Sequence, residues 1–584
     1  MSDETLELAG AVDRPGGVVL DQSKQLDLMW GIKIPMRDGT LLNATIFKPK
    51  NAAHTVPAIF TLTPYISDTY HERGIYFAQH DYAFALVDVR GRGNSEGEFE
   101  PMVNEGRDGY DATEWLAAQP WCDGQVTMWG GSYAGFDQWS TLKEFPAHLK
   151  TIVPVASGFP SVDFPFPKNI GASYFMQWLT YTSGVTGNTN LFAEADFWTQ
   201  KFMEMYLNHL PFKDLDKIAG NTSTHFQTWL KHRGPGPYWD AMNPTEADYA
   251  RFNVPILTIT GHYDGDQNGA MGLYKLHMAH GSPEAIRAHY LVIGPWDHAG
   301  TRTPRKSFGG LTFGDASLVD MNALHKEWYD WTMKGGQKPT FLKDRVSYYI
   351  AGTETWKYAP SLEAMTAEMR PYYLHAPADG AGDVFHSGHL LTKLTESQPD
   401  IFIYDPLDTR PGVDLESEPV LKPYTDQRFA LNLYGAGVVF HTEPFNEAVE
   451  LSGYTKLHAW MSLDVPDTDF AVDLYEILKD GSSILLTSDI LRARYRKGTR
   501  HEELIVPGEI NEYVFDGFTL FCRQISKGSR LRLVVKCINS PQTEKNYNAG
   551  GRVEEESGAD ARTAHVTLYH DNRYPSRLEL PIGR

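Results

Sequence analysis

The chain has 584 residues, and 53 Lys+Arg against 74 Asp+Glu leave a formal charge of −21, so it lacks the basic footprint of a nucleic-acid binder. Hydrophobic residues at 42% and aromatics at 12% supply a large packed core and exclude a disordered chain. Cys122, Cys522 and Cys537 are too few, and odd in number, for a disulfide framework or a zinc site.

In chain order, the opening residues MSDETLELAGAVDRPGG have no basic n-region and no apolar h-region, and no run approaches about 18 apolar residues. A soluble cytoplasmic protein is expected. Residues 31–48 read as a hairpin turning at Asp38-Gly39. Residues 57–63, 82–88, 126–129, 151–156, 254–260 and 289–294 are short apolar strands. Residues 106–119 have helical spacing, with Tyr110, Trp115 and Leu116 on one face. Buried strands alternating with helices predict a parallel sheet covered on both sides. Residues 159–253 break that rhythm: they are aromatic-rich and read as helices without strands, so they are expected as a helical cap inserted into the sheet domain. From Val346 onward short alternating strands dominate, with Asp480-Gly481 as a hairpin turn. This half reads as an antiparallel β-sandwich, a jelly roll. The expected divisions are 1–158 and 254–345 for the α/β body, 159–253 for the cap and 346–584 for the sandwich.

One segment carries chemistry. Residues 126–136, VTMWGGSYAGF, run from a strand through a glycine-flanked serine into a helix. This is a variant nucleophile elbow around Ser132, with the second glycine one place later than in G-x-S-x-G. A serine nucleophile needs a base, and the base an orienting carboxylate. Strand 254–260 ends in Gly261-His262-Tyr263-Asp264-Gly265-Asp266, and strand 289–294 ends in Pro295-Trp296-Asp297-His298. The order Ser132, Asp264, His298 matches that of α/β-hydrolases. Asp266 is an alternative orienting acid, and Asp297 reads as a surface or supporting carboxylate. The oxyanion formed on attack needs two donors. The Tyr133 amide is one. The Tyr65 hydroxyl, after Pro64 at a strand end, is either the other or a packing aromatic.

Pro64-Tyr65, DVRGRGNSEGEF (88–99), WCDGQVTMWGGSYAG (121–135), GHYDG (261–265) and IGPWDH (293–298) resemble the bacterial cocaine esterase and X-prolyl dipeptidyl-peptidase-like serine hydrolases. That group includes α-amino-acid ester hydrolases and glutaryl-aminocephalosporanate acylases. FHTEPF (440–445), DVPDTDF (464–470), LRARYR (491–496) and KGSRLRL (527–533) are similar to the family's jelly-roll domain. The resemblance runs over nearly the whole chain from about residue 31. It implies an α/β-hydrolase body, a cap and a jelly roll, with the active site where they meet. It places the nucleophile on Ser132, the acid on Asp264, the base on His298, and the oxyanion donors on Tyr65 and the Tyr133 amide. It implies no metal and no organic cofactor.

Substrate class is less defined. The α-amino-acid ester hydrolases hold a substrate ammonium with a carboxylate cluster, one member of which falls here on Ser67, with Asp68 beside it. This departure weighs against a free-amino substrate and against dipeptidyl-peptidase activity. The cap acids Asp163, Glu194 and Asp196 are candidates to supply such carboxylates but read first as solvated surface charges. Among the cap aromatics, Tyr174, Phe175, Trp178 and Trp198 have helical spacing; Tyr174, Phe175 and Trp178 are the candidate substrate-pocket residues. The expectation is an esterase or acylase acting on a small, partly apolar ester or amide, with no nucleic acid or membrane partner. The acidic charge is compatible with a homo-oligomer. The contrasting reading is a binding protein on an inactive hydrolase scaffold.

Overall fold

The computed structural model describes residues 25–50, 54–66 and 70–584. The signal-peptide reading of the N-terminus and the Ser67 and Asp68 positions therefore lie outside the described residues. Ten strands form the first sheet: β1 (Leu26–Pro35), β2 (Leu41–Pro49), β3 (Val56–Thr63), β4 (Ala83–Asp88), β5 (Cys122–Ser132), β6 (Leu149–Ser157), β7 (Ile256–Tyr263), β8 (His289–Asp297), β11 (Val346–Ile350) and β12 (Thr355–Ala359). A short hairpin, β9 (Ser307–Phe308) with β10 (Leu311–Thr312), stands apart. The sheet order is β1-β2-β4-β3-β5-β6-β7-β8-β11-β12. Neighbours from β4 to β11 pair in parallel; β1, β2 and β12 join antiparallel at the edges.

The central strands are buried almost throughout, as a sheet covered on both faces requires. Helices α1 (His71–Ala78) and α13 (Met321–Met333) pack on one face around Trp129, Trp296 and Trp328. Helices α2 (Glu105–Ala117), α3 (Tyr133–Lys143) and α11 (Gln267–His280) cover the other, around Phe60, Met128 and Trp139. This is an α/β-hydrolase body.

Two expectations need correction. The strand at Val346 was expected to open the sandwich, yet β11 pairs in parallel with β8 through Val346↔Leu291 and Tyr348↔Ile293. All five of its residues are buried, and VSYYI is a continuous run suited to a strand covered on both faces. The body thus reaches Ala359 rather than ending at residue 345. Helix α2 is also rotated from the expected face: it buries Gly106, Gly109, Ala112, Thr113 and Leu116. Close packing on α3 is the reason, since a Cβ at Gly109 would sit 1.9 Å from Thr141 Oγ1 and one at Gly106 2.8 Å from the Ser140 carbonyl oxygen. Tyr110 and Trp115 are left half-buried at its margin.

Between β6 and β7 the chain forms short helices and no strand of either large sheet. They include α4 (Tyr174–Tyr181), α5 (Thr189–Phe192), α6 (Ala195–Leu207) and α8 (Thr224–Lys231). Their aromatic core of Phe166, Phe175, Trp178, Trp198, Phe202 and Trp229 continues into Tyr133 and Phe136 of α3. The C-terminal part is all-β: thirteen strands between Thr366 and Gly583 make one connected sheet system around a core of its own. The turn at Asp480-Gly481 joins two paired strands, with Ile477↔Ser483 and φ 89° at Gly481. No helix among the described residues is long and apolar enough to cross a membrane.

Candidate active site

Ser132 ends β5 and precedes α3 with φ 61° and ψ −122°. A non-glycine residue in such a conformation costs of order 1–3 kcal/mol and persists only where surrounding structure enforces it. Here that structure is glycine. At Gly130 (φ 148°) a Cβ would lie 2.5 Å from the Ala134 Cβ, and at Gly135 2.8 Å from the Val155 carbonyl oxygen. The missing side chain at Gly130 is therefore what lets alanine stand where the G-x-S-x-G pattern has its second glycine. Gln138, fully buried on α3, donates to the Gly130 and Val153 carbonyls at 3.0 and 2.8 Å and accepts from the Val153 amide at 2.8 Å, tying the turn to β6.

His298 follows β8, and its Nδ1 lies 2.7 Å from Asp264 Oδ1. Asp264 follows β7 and is nearly fully buried. It also accepts from the Thr260 hydroxyl at 2.8 Å and the Asp266 amide at 3.0 Å. Asp266 Oδ2 is 3.8 Å from the same imidazole nitrogen. Of the two acids left open by the sequence, Asp264 makes the closer contact. Burial pushes the Asp264 carboxyl up, but the hydrogen bond and charge of His298 outweigh it and hold it below the usual carboxylate range. Burial pushes the His298 imidazole down, yet the Asp266 charge and the Asp264 bond leave it raised overall. Asp266 lines the same cavity as Ser132, and burial pushes its carboxyl up to about 6. Asp297 is engaged elsewhere, accepting from Arg305 Nη2 at 2.5 Å and from the Gly300 amide at 2.8 Å.

Tyr65 lies just beyond β3. Its amide donates to Thr63 Oγ1 at 3.1 Å, and the Pro64 carbonyl accepts from buried Arg92 Nε at 2.8 Å. Its ring stacks on Tyr181 at 5.3 Å, and its hydroxyl accepts from Trp178 Nε1 at 3.1 Å. Burial raises its pKa well above the usual phenol range. The hydroxyl of Tyr133 donates to Glu105 and accepts from the Met102 amide at 2.7 Å, which pins the first residue of α3.

These groups open on one cavity of about 450 Å³. Ser132, His298, Tyr65 and Tyr133 line it, together with the expected pocket residues Tyr174, Phe175 and Trp178. Trp198 is buried in the cap core and is not among the lining residues. Glu194 and Asp196 are exposed, as expected, but Asp163 is not a surface charge: it lines the cavity. The Phe159 amide donates to its Oδ1 at 2.8 Å, and Oδ2 has no hydrogen-bond partner among the described residues. Burial, then the nearby Asp266 charge, pushes its carboxyl well up. The apolar neighbours Phe159, Phe164 and Phe166 were the one sequence signal that this aspartate is enclosed. Tyr424, from the all-β half, closes another wall against Tyr263, with ring centroids 4.5 Å apart. Nothing local in the sequence marks it.

Residues 38–300 match the family described as X-Pro dipeptidyl-peptidase (S15 family), and residues 338–579 match its C-terminal non-catalytic domain. Cocaine esterase of a Rhodococcus species is 25% identical over 575 residues, covering 94% of this chain and 98% of its own. Two solved structures share the fold over essentially the full length. One is an aminopeptidase from a marine sediment archaeon (TM-score 0.81, 21% identity, 98% and 99% of the two chains). The other is an α-amino acid ester hydrolase (TM-score 0.82, 21% identity, 100% of each). With matches spanning the sheet domain and the all-β domain alike, the chain belongs to the X-Pro dipeptidyl-peptidase (S15) family of serine-type esterases and peptidases.

Proposed function

We propose that the protein cleaves a carboxylic ester or amide through an acyl-Ser132 intermediate, and that its acyl donor carries an ammonium group near the scissile carbonyl. The observation that carries the first part is the 2.7 Å His298–Asp264 bond beside a serine held at positive φ, with Ser132 and His298 on one cavity. In this reading Asp264 fixes the imidazole tautomer, so that Nε2 is free to take the Ser132 proton. Ser132 attacks the carbonyl, and the Tyr65 hydroxyl and Tyr133 amide receive the oxyanion. His298 then protonates the leaving alcohol or amine, and water repeats the cycle on the acyl-enzyme.

The second part rests on charge. Asp163 and Asp266 both line the cavity, whose described lining residues include no Lys or Arg. A buried carboxylate without a cation is costly, which is why the Asp163 carboxyl is pushed well up, with its Oδ2 unpartnered among the described residues. A substrate ammonium between the two would compensate that cost. Because Asp266 lines the same cavity as Ser132 and lies 3.8 Å from the His298 imidazole, the ammonium would lie close to the attacked carbonyl. The apolar walls Phe164, Phe175 and Trp178 suit an apolar side chain on the same acyl group. This shifts the expectation from a simple ester towards an α-amino acyl ester or amide, with Asp163 in the place expected of an acid near residue 67.

A panel of p-nitrophenyl acyl esters against amino-acid p-nitrophenyl esters and p-nitroanilides tests it. Asp163→Asn is expected to raise KM for the amino substrates roughly tenfold or more, the scale of a charge-assisted bond, and to leave KM for the acetyl ester within twofold. Equal effects on both would remove the ammonium assignment and leave the acyl-transfer chemistry standing.

A further inference from the structure

Trp178 was expected only as a wall of the substrate pocket, but its geometry assigns it a second task. We propose that the Trp178 indole is a positioning residue that turns the Tyr65 hydroxyl into a directed oxyanion donor. The proposal rests on the acyl-transfer reading given above.

A phenol has one proton to give and lone pairs to accept with, whereas an indole N–H can only donate. The 3.1 Å contact from Trp178 Nε1 to the Tyr65 oxygen therefore has one polarity: Tyr65 accepts. Its own proton must point elsewhere. Tyr65 lines the same cavity as Ser132, so a carbonyl oxygen turning negative there is a natural acceptor. Accepting a hydrogen bond also polarises the phenol O–H and strengthens it as a donor.

The indole is itself immobilised. It stacks with Tyr133 (5.7 Å between centroids, 19° between planes) and with Trp229 (6.1 Å, 19°), and Phe164 meets it edge-on at 5.5 Å. Tyr133 carries the other proposed donor on its backbone, and its hydroxyl is held by Glu105 and the Met102 amide. One side chain thus bridges the two halves of the oxyanion site, touching the phenol that supplies one donor and the ring of the residue that supplies the other. Preorganised donors of this kind need no reorganisation when charge develops.

The test is a double-mutant cycle on kcat with one activated ester, using Tyr65→Phe and Trp178→Phe singly and together. Tyr65→Phe is expected to lower kcat about 100- to 1,000-fold, as loss of one oxyanion donor does. Trp178→Phe is expected to lower it roughly tenfold, the scale of one hydrogen bond. In the Tyr65→Phe background, Trp178→Phe is expected to change kcat less than twofold. A purely lining role would give the same factor in both backgrounds, mainly through KM, and would overturn the proposal. Should Trp178→Phe loosen the cap, incorporation of 3-benzothienylalanine at position 178 keeps the bicyclic shape and removes only the N–H. Unchanged kcat in that variant would overturn the proposal equally. If instead Tyr65→Phe itself costs less than threefold, the oxyanion reading of Tyr65 fails, a different outcome from additivity in the cycle.

Discussion

At the scale of single residues, the site is a balance of charges around one imidazole. Asp264 lies in hydrogen-bond contact with His298 Nδ1 at 2.7 Å, while Asp266 places a second carboxylate 3.8 Å from the same nitrogen. A neighbouring anion favours the imidazolium, which is inactive as a base. The acid limb of kcat/KM should therefore lie above the ordinary histidine range, with activity lost as pH falls through the raised His298 pKa. Asp266→Asn removes one raising charge and leaves Asp264 in place, so the limb should move to lower pH by about one unit. A pH profile with a non-amino ester, whose binding does not call on Asp266, measures this; an unmoved or upward-shifted limb would contradict the assignment. Much of this layer was legible in the sequence. Ser132 ends a strand and Asp264 and His298 each follow one, and strand ends are visible as apolar runs stopping at glycine or aspartate. Asp163 was misread because its one local sign of burial, the phenylalanines around it, is outweighed by its charge; the tertiary approach of Gly269 on α11, where a Cβ would meet Asp163 Oδ2 at 2.0 Å, helps enclose it.

At the scale of elements, glycines decide how closely the helices approach. The expected face of α2 was drawn from its large apolar residues, but what faces α3 is its small ones. Periodicity reports which residues are apolar and says little about which contacts demand the absence of a side chain. Gly109→Ala puts a methyl 1.9 Å from Thr141 Oγ1 in a buried interface. Overpacking of this kind should outweigh alanine's better helix propensity and destabilise by about 1–3 kcal/mol. A chemical denaturation midpoint at or above that of the parent would show that α2 and α3 can part without cost. The same close packing bears on the proposed oxyanion donor, because α3 begins at Tyr133 and α2 supplies Glu105 to its hydroxyl.

Across the whole molecule, the all-β half holds the cap in place. Residues 169–173 lead into α4, and hence to Tyr174, Phe175 and Trp178. Ser173 bonds to the Gln542 and Pro541 carbonyls through its amide and hydroxyl, each at 2.9 Å, and the Gly171 amide donates to Glu544 at 2.8 Å. Glu544 also pairs with Arg233 of the cap and with Arg492, whose guanidinium is buried, binds Asp469 at 2.7 and 2.8 Å and donates to the Asn169 carbonyl at 2.9 Å. Burial pushes the Glu544 carboxyl up, but Arg233 and Arg492 outweigh it and hold it down at about 2. Its contribution is thus present above the ordinary glutamate range and lost as pH falls through about 2. Glu544→Ala leaves two guanidinium groups under-neutralised and should cost about 3–5 kcal/mol, seen as a lower urea midpoint together with a weakened catalytic rate. Loss of neither would mean the cap is held by its apolar core alone. This clasp was not legible beforehand, since its members lie far apart in sequence. The body's extension to Ala359 was missed for a related reason: a buried parallel strand and a sandwich strand share the same short apolar signature, and only the partner strand tells them apart.

Acyl transfer through Ser132 is tested by intact-mass and peptide mapping of the protein after brief reaction with a fluorophosphonate, and after rapid-quench mixing with an activated acyl ester. One adduct per chain is expected, on the peptide bearing Ser132, with burst kinetics for the ester and neither adduct nor turnover in Ser132→Ala. Turnover that survives Ser132→Ala, or an adduct confined to another residue, would contradict it.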